Sequence, residues 1–389
     1  EWTIPNIKLM MQRIGLKKAK YFAVLDLTSG YHQVALHANS RDFAAFATPY
    51  GNFVPNRISM GLKCAPAYFQ YTMATNVLSG ILYQSCELYI DDIIVMGSSD
   101  DEFCDNMQKV FQRLKNKGLT LNPAKAKICK SEVEAVGHVV NMYGITMSEE
   151  KIAKVMNFPK PKLGKQLKQF LGIANYFRDR VRNHSILAQP LDRLVHNYKA
   201  VKHKPIAWTR ETEQAFRELQ QAVSRCPMLY FVEEGGQIIL ETDASEYGIG
   251  AYLYQIVETG DPQHRPIAFM SRSLNPTERR WATIEKECCA IYEAVRQWEY
   301  LLGGRFFTIR TDHRNLVYLN DPFNSPKVVK WKLALLEFNF EVEYIKRTDN
   351  NIADYLSRIE RDEGENEGRE RPTRSEEHTS ELQSRGLIS

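Results

Sequence analysis

The chain has 389 residues, of which 43% are hydrophobic and 25% charged, with a formal net charge of +4. Such a length suggests two or three domains, and such a composition excludes a mostly disordered, collagen-like or low-complexity chain. No apolar run approaches the roughly 20 residues of a membrane-spanning helix, no signal-like segment opens the chain, and the seven cysteines include no CxxC pair. That cysteine usage argues against a zinc ribbon or knuckle and for a reducing compartment. Charge is unevenly spread: residues 360–389 carry nine acids and five bases, whereas 160–204 carry eleven Lys or Arg against two Asp. A concentrated positive segment attracts polyphosphate, although a solvated basic linker would have the same composition.

In chain order, residues 1–158 alternate short strand-like runs with helical stretches. "YFAVLDL" reads as a strand that ends at Asp26 and runs into the turn-like Thr28, Ser29 and Gly30. "CELYIDDIIVMG" reads as a β-hairpin whose turn is Asp91 and Asp92. "DEFCDNMQKVFQRLKNKG" predicts an amphipathic helix, with Phe103, Met107, Val110, Phe111 and Leu114 on one face and Gly118 as its stop. Pro159 and Pro161 open a basic, mostly helical connector to about residue 230. Beyond it, "QIILETDAS", "FFTIRTD" and "FNFEVEYI" read as strands, and "TERRWATIEKECCAIYEAVRQWEYLLGG" as a long helical stretch. Mixed strands and helices on both sides of a connector predict two α+β or α/β domains. Residues 359–389 are too polar and charged to predict a fold, and Arg374 to Ser384 resembles a translated sequencing adapter. The start at Glu1 rather than Met suggests a product of a longer polyprotein.

Two groups of acids stand out. Asp91 and Asp92 interrupt a strongly apolar stretch, and adjacent carboxylates drawn toward a core are unfavourable unless a cation or solvent compensates. Asp-Asp is also ordinary turn chemistry. Asp26, at the end of another apolar strand, adds a third carboxylate at one edge, which would make an oxygen-rich Mg²⁺ site. In the second group Asp243 and Asp312 each end a strand, Glu287 lies mid-helix, and Asp354 lies in "NNIADYLSR". Four acids so placed could converge on two metals. Each acid alone could equally be a turn cap or a solvated side chain, and Glu285 competes with Glu287 because both cannot face one site.

The blocks "FAVLDLTSGYHQV", "RISMGLKCAPAYFQ", "LYIDDIIVMGSS", "LTLNPAKAK" and "VEAVGHVV" occur in the order found in reverse transcriptases, and resemble those of gypsy-type LTR retrotransposons and retroviruses. The resemblance implies that Asp26, Asp91 and Asp92 hold the metals with help from the Leu27 carbonyl. It places the Ser29 and Gly30 amides against a triphosphate and Tyr31 beneath the sugar, excluding a 2′-hydroxyl. Met60 and Gly61, with Leu62 and Pro66, match the template-and-nucleotide block, although the family usually has Pro-Phe or Pro-Gln where this chain has Ser59 and Met60. Val136, Gly137 and His138 match the primer grip. The matched region begins just before "FAVLDL", which implies truncated fingers.

"TDASEYGIGAYL", "ECCAIYEAV", "IRTDHRNL" and "IADYLSR" resemble the blocks of ribonuclease H, and this favours Glu287 over Glu285. Where many of those enzymes carry a mobile His, this chain has Tyr344. "GKQLKQFLGIANYFRDRVRNHSILAQPLDRLV" resembles the tether of gypsy-type elements, with Phe170, Leu171, Ile173, Tyr176 and Phe177 facing a core. Lys165, Lys168, Arg178, Arg180 and Arg182 would then remain for phosphates.

The resemblance therefore implies an α+β and α/β multidomain segment of a retrotransposon Pol polyprotein. Its parts are a partial-fingers, palm and thumb reverse transcriptase at 1–158, a connection at 159–236, a ribonuclease H-like domain at 237–358 and a disordered or artefactual tail at 359–389. The implied activities are RNA-directed DNA synthesis and cleavage of RNA in RNA/DNA hybrids, with two Mg²⁺ or Mn²⁺ per active site. The implied partners are RNA and DNA template-primer, RNA/DNA hybrid and dNTPs, with no membrane. Family habit places such proteins in cytoplasmic particles, with later nuclear delivery of DNA. The alternative is a truncated segment that binds nucleic acid with ribonuclease H activity only, or none.

Overall fold

The computed structural model describes residues 3–181, 184–257, 263–312 and 325–345. The first layer is a four-stranded antiparallel sheet in the order β4-β5-β1-β6, built from β1 (Tyr21–Asp26), β4 (Cys86–Tyr89), β5 (Asp92–Gly97) and β6 (Lys127–Lys130). A short hairpin of β2 (Phe46–Thr48) and β3 (Gly51–Phe53) lies between the first two in sequence. Phe22 to Leu25 are all buried, and the two faces of the sheet use them alternately. Ala23, Leu25, Leu88, Ile93 and Val95 pack with residues of α3 (Ala65–Thr72) and α4 (Asp100–Asn116). Phe22, Val24, Ile94 and Met96 pack with α1 (Ile7–Leu16) and with Val133 and Val140. A sheet covered on both faces explains why "FAVL" and "IIVM" are unbroken apolar runs.

Helix α4 follows its sequence signals. The Ser99 side chain caps the Glu102 amide, three acids occupy the first turn, and Gly118 takes a φ of +65° just past the end. Phe103, Met107, Val110 and Leu114 are buried as expected, but Phe111 is 40% exposed, because the helix packs through a narrower stripe than its apolar content suggests. Arg13 of α1 reaches across to Glu87 of β4 with two bonds, 2.8 and 2.7 Å. Glu87 is 2% exposed, and burial pushes its carboxyl up despite Arg13.

A second antiparallel sheet follows, in the order β10-β9-β8-β7. It contains β7 (Glu132–Ala135), β8 (His138–Asn141), β9 (Gly144–Met147) and the two-residue β10 (Leu229–Tyr230), contributed from after the helical region. That region comprises α5 (Glu149–Met156), α6 (Gly164–Ala174), α7 (His184–Leu194), α8 (Tyr198–Val201) and α9 (Arg210–Ser224). Its core holds Phe170, Leu171, Phe177, Leu191, Phe216 and Leu219. Ile173 and Tyr176, expected in that core, are instead on the exposed side of α6 and the turn after it. Arg180, expected to be open to phosphate, is buried and donates to the Ile145 carbonyl at 2.7 Å. Arg182 lies outside the described residues.

The third sheet has five strands in the order β13-β12-β11-β14-β15. β11 (Gln237–Ala244), β12 (Gly248–Val257) and β13 (Gln263–Ser273) form an antiparallel meander, while β14 (Phe306–Thr311) and β15 (Asn339–Tyr344) join in parallel. β12 and β13 had not been singled out as strands. The long helical stretch divides into α10 (Thr283–Gln297) and the short α11 (Glu299–Leu302), separated at Trp298, which is fully buried. One face of the sheet packs on α10 and α12 (Pro326–Leu335) through Leu240, Ile249, Cys288, Ile291, Val295 and Leu335. No helix among the described residues is long and apolar enough to cross a membrane.

Removing Arg13 alone should leave a buried, unpaired carboxylate. Arg13→Met is expected to cost about 3 kcal/mol or more in urea unfolding, and Arg13→Met with Glu87→Met to recover most of it. A double variant no more stable than the single one would place the effect in α1 packing rather than in the ion pair.

Candidate active sites

The first site is set by strand register. In the antiparallel ladder of β1 and β5, Asp26 stands directly opposite Asp92, and Asp92 also faces Tyr89 of β4. Directly opposed residues put their side chains on one face, so the two carboxylates share an edge. The hairpin turn is Ile90–Asp91 rather than the two acids, because Asp92 is already committed to both ladders. Ile90 takes a φ of +56°, a strained conformation for a β-branched residue. Gln70 of α3 holds it there: its Oε1 accepts the Ile90 amide at 2.6 Å, and its Nε2 donates to the Leu88 carbonyl at 3.4 Å. Gln70 was not singled out from sequence. Its signal was a polar residue on the buried stripe of Ala65, Phe69 and Met73.

Asp91 is exposed at the turn, whereas Asp92 is half-buried. Burial, then Asp91 and Asp26, push the Asp92 carboxyl up to about 6, against the lowering influence of the Val136 backbone and of Lys125. Lys125 pairs with Asp26 at 3.2 Å, and the Asn122 amide donates to the Asp26 carbonyl at 2.8 Å, which anchors the loop that carries this lysine. Lys125 too was missed as a site neighbour.

Leu27 is buried and bridged to Leu121. Ser29 has a left-handed φ of +48° and leads into α2 (Gly30–Gln33). A Cβ on Gly30 would lie 3.1 Å from the Phe69 ring, so the turn approaches α3 closely. Tyr31 meets Phe69 edge to face at 5.1 Å, and burial and then Asp91 push its hydroxyl up. Met60 and Gly61 are exposed, with Gly61 at a φ of +93°. Val136 and Gly137 form the β7–β8 turn, with φ of +51° and +74°. His138 stacks on Tyr176, and burial, Arg180 and Lys151 pull its imidazole down to about 3.

The second site is tighter. Asp243 at the end of β11, Glu287 on α10 and Asp312 just after β14 offer carboxylate oxygens that all lie within 4.8 Å of one another. β11 and β14 are adjacent and parallel, so both strand-end acids arrive at the same edge, where open α/β sheets place their ligands. Asp243 is 4% exposed and Glu287 3%, and Glu287 accepts the Ala244 amide at 3.1 Å. Glu285 instead accepts from the Ser325 hydroxyl at 2.7 Å, away from the cluster. Tyr344 stands opposite Thr311 in the β14–β15 ladder, beside Asp312. Asp354 lies outside the described residues. Among the described residues, three acids gather this closely only here. Buried, all-oxygen donors of like charge fit a hard divalent cation.

Each constellation lies in a region that matches a known family. Residues 4–140 match the reverse transcriptase (RNA-dependent DNA polymerase) family, and residues 234–338 match the RNase H-like domain found in reverse transcriptase. The chain belongs to the reverse transcriptases that carry an RNase H-like domain, of the kind found in gypsy-type retrotransposon Pol polyproteins. It is 34% identical over 360 residues to the retrovirus-related Pol polyprotein from transposon 412 of Drosophila melanogaster, covering 92% of this chain and 28% of that one. It is 33% identical to the transposon Tf2-3 polyprotein of Schizosaccharomyces pombe, covering 92% of this chain and 26% of that one. The fold is that of the foamy viral protease-reverse transcriptase solved in complex with RNA/DNA hybrid, with a TM-score of 0.70 and 22% identity over 86% of this chain and 45% of that one.

The raised carboxyl of Asp92 makes a stability prediction. An acid whose pKa rises from 3.8 unfolded to about 6 folded destabilises the fold fully above pH 6 and not at all below its unfolded value. In EDTA, Asp92→Asn should therefore stabilise the protein at pH 8 by on the order of 1–2 kcal/mol, discounted for partial exposure, with the gain fading between pH 6 and 4. Denaturation at both pH values checks this; a gain independent of pH would deny that it comes from ionisation of Asp92.

Proposed function

We propose that the first domain extends a primer with deoxynucleotides on RNA or DNA, and that the second hydrolyses the RNA strand of an RNA/DNA hybrid. The observation that carries this reading is the presence, in one chain, of two carboxylate groups at strand ends within regions matching those two families. The chain spans about a quarter to a third of the polyproteins it resembles, so the reading concerns these two domains.

In the first site Asp26, Asp91 and Asp92, with the Leu27 carbonyl, would hold two Mg²⁺ or Mn²⁺. In the second, Asp243, Glu287, Asp312 and Asp354 would do so. Bound ions there supply charge neutralisation at the phosphates and activation of the attacking hydroxyl or water. The chain's own groups do the positioning. The Ser29 and Gly30 amides face the triphosphate, and the Tyr31 ring, braced on Phe69, occupies the space of a 2′-hydroxyl. Gln70 fixes the turn that carries Asp91. The Val136–Gly137 turn seats the primer end. The RNA/DNA hybrid in the foamy viral structure supports the choice of nucleic acid.

One labelled RNA template annealed to a shorter DNA primer, with dNTPs and Mg²⁺, reports both reactions on a single gel. Asp91→Asn should reduce extension by more than about a hundredfold, the scale of losing one aligned catalytic group, and leave RNA cleavage intact. Glu287→Gln should do the reverse. Extension that survives Asp91→Asn rejects the first assignment, and RNA cutting that survives Glu287→Gln rejects the second. Cutting without extension by the unaltered chain would favour a protein with ribonuclease H activity alone.

A further inference from the structure

A cavity of about 460 Å³ lies where α1, the helical connector and the third sheet meet, a volume in the range of small-molecule sites. Its walls are largely apolar and include five aromatic residues: Tyr176, Tyr230, Phe231, Trp298 and Tyr300. Met11 on one wall belongs to the core beneath the first sheet, and Ile267 and Trp298 on another belong to the core of the third. Packing elsewhere therefore holds the space open.

The charges along the lining do not balance. Lys8, Arg178, Arg180 and Arg305 stand against a single acid, Asp179. Lys8 already pairs with that acid, which also accepts from Gln297 Nε2 at 3.4 Å. Arg305 donates to the Leu301 carbonyl at 2.6 Å, and Arg178 is exposed. Arg180 is only 6% exposed. Its bonds go to the Ile145 carbonyl at 2.7 Å and to His138 Nδ1 at 3.4 Å. Both acceptors are neutral, since the imidazole is held down to about 3, and the two bonds leave most of the guanidinium fork unspent. None of the three arginines forms an ion pair among the described residues. A buried guanidinium without an anion is unfavourable, and its planar fork matches oxyanions.

Gly172 lines the same cavity from within α6, and a Cβ built on it would meet nothing within 4 Å. Glycine inside a helix is unfavourable relative to alanine, so the open space beside it comes with a weaker α6.

We propose that this cavity binds a small aromatic anion, its rings against Phe231 and Trp298 and its carboxylate or sulfonate head on Arg180 and Arg178. An occupant would tie α1 and the connector to the third sheet. The site shares no residue with either acid cluster and is independent of the catalytic reading.

The test is titration of the whole chain with anilinonaphthalene sulfonate, followed by fluorescence and by heat. One saturable site is expected, with a thermal midpoint that rises as probe is added. Uncharged phenylnaphthylamine, which has the same rings without the sulfonate, should bind about tenfold more weakly or worse, the scale of one charge-assisted hydrogen bond. Arg180→Met should erase that difference between the probes. Gly172→Leu fills open space, so it should weaken both by about tenfold or more without lowering the midpoint of the free protein. It decides the matter if Arg180→Met does not fold. Equal binding of the two probes by the unaltered chain would overturn the anion assignment, and binding untouched by Gly172→Leu would overturn the site. A midpoint lowered by the probe would overturn both, because the probe would then favour unfolded chain. Displacement of the probe by an RNA/DNA duplex would overturn the proposal in favour of a nucleic-acid track along Arg178 and Arg180.

Discussion

The pairing of Asp26 opposite Asp92 is an unfavourable contact that the rest of the first domain enforces. Like charges directly opposed across a ladder repel. The register survives because β1 and β5 are buried on both faces, and a slip by one residue would exchange every side chain between two different cores. Burial first, and then repulsion from Asp91 and Asp26, raises the Asp92 carboxyl to about 6. Two features relieve it without removing it: Lys125 against Asp26, and the exposed position of Asp91. Concentrated negative potential at the end of a rigid ladder is what a divalent cation needs.

The second domain meets the same requirement by a different topology. Its strand-end acids come from adjacent parallel strands rather than an antiparallel pair, and the third acid comes from a helix packed on the sheet. Nothing there depends on a turn. Asp243 and Glu287 sit beside a core of Leu240, Ile249, Cys288 and Ile291, whose packing leaves little room to relax. In the first domain Asp91 hangs from a two-residue turn in a strained conformation, and the three acids gather less closely. The difference follows from what carries each carboxylate: a packed core in one case, a turn braced by a single glutamine in the other.

What could be read from the sequence was whatever a local apolar pattern determines. Asp26, Asp243 and Asp312 end apolar runs, and α4 shows its face, cap and stop within its own residues. What could not be read depended on partners elsewhere in the chain. The turn sits at Ile90–Asp91 because Gln70, on another helix, accepts the Ile90 amide. Arg180 looked free for phosphate because charge counting cannot see the Ile145 carbonyl and the His138 ring that receive it. Ile173 and Tyr176 looked like core residues because they are large and apolar or aromatic. β12 and β13 escaped notice because Gly248 and Gly250 in one, Pro266 in the other, and apolar residues on both faces break the two-residue alternation that marks a half-buried strand.

The contacts of Tyr176 and Arg180 have a physical consequence. A cluster that contains an arginine, a lysine, a histidine and a tyrosine, with no carboxylate among them, would repel itself if the imidazole were charged. Burial and the two neighbouring cations hold His138 down to about 3, so across neutral and mildly acidic pH the ring is neutral and can accept from Arg180 on one side while donating on the other. A neutral relay of this kind has a fixed direction, set at its far end by an arginine that cannot lose its proton. It therefore delivers the tyrosine hydrogen to the Val136 carbonyl in a single orientation. The connector thus anchors the β7–β8 turn through the Tyr176 hydroxyl.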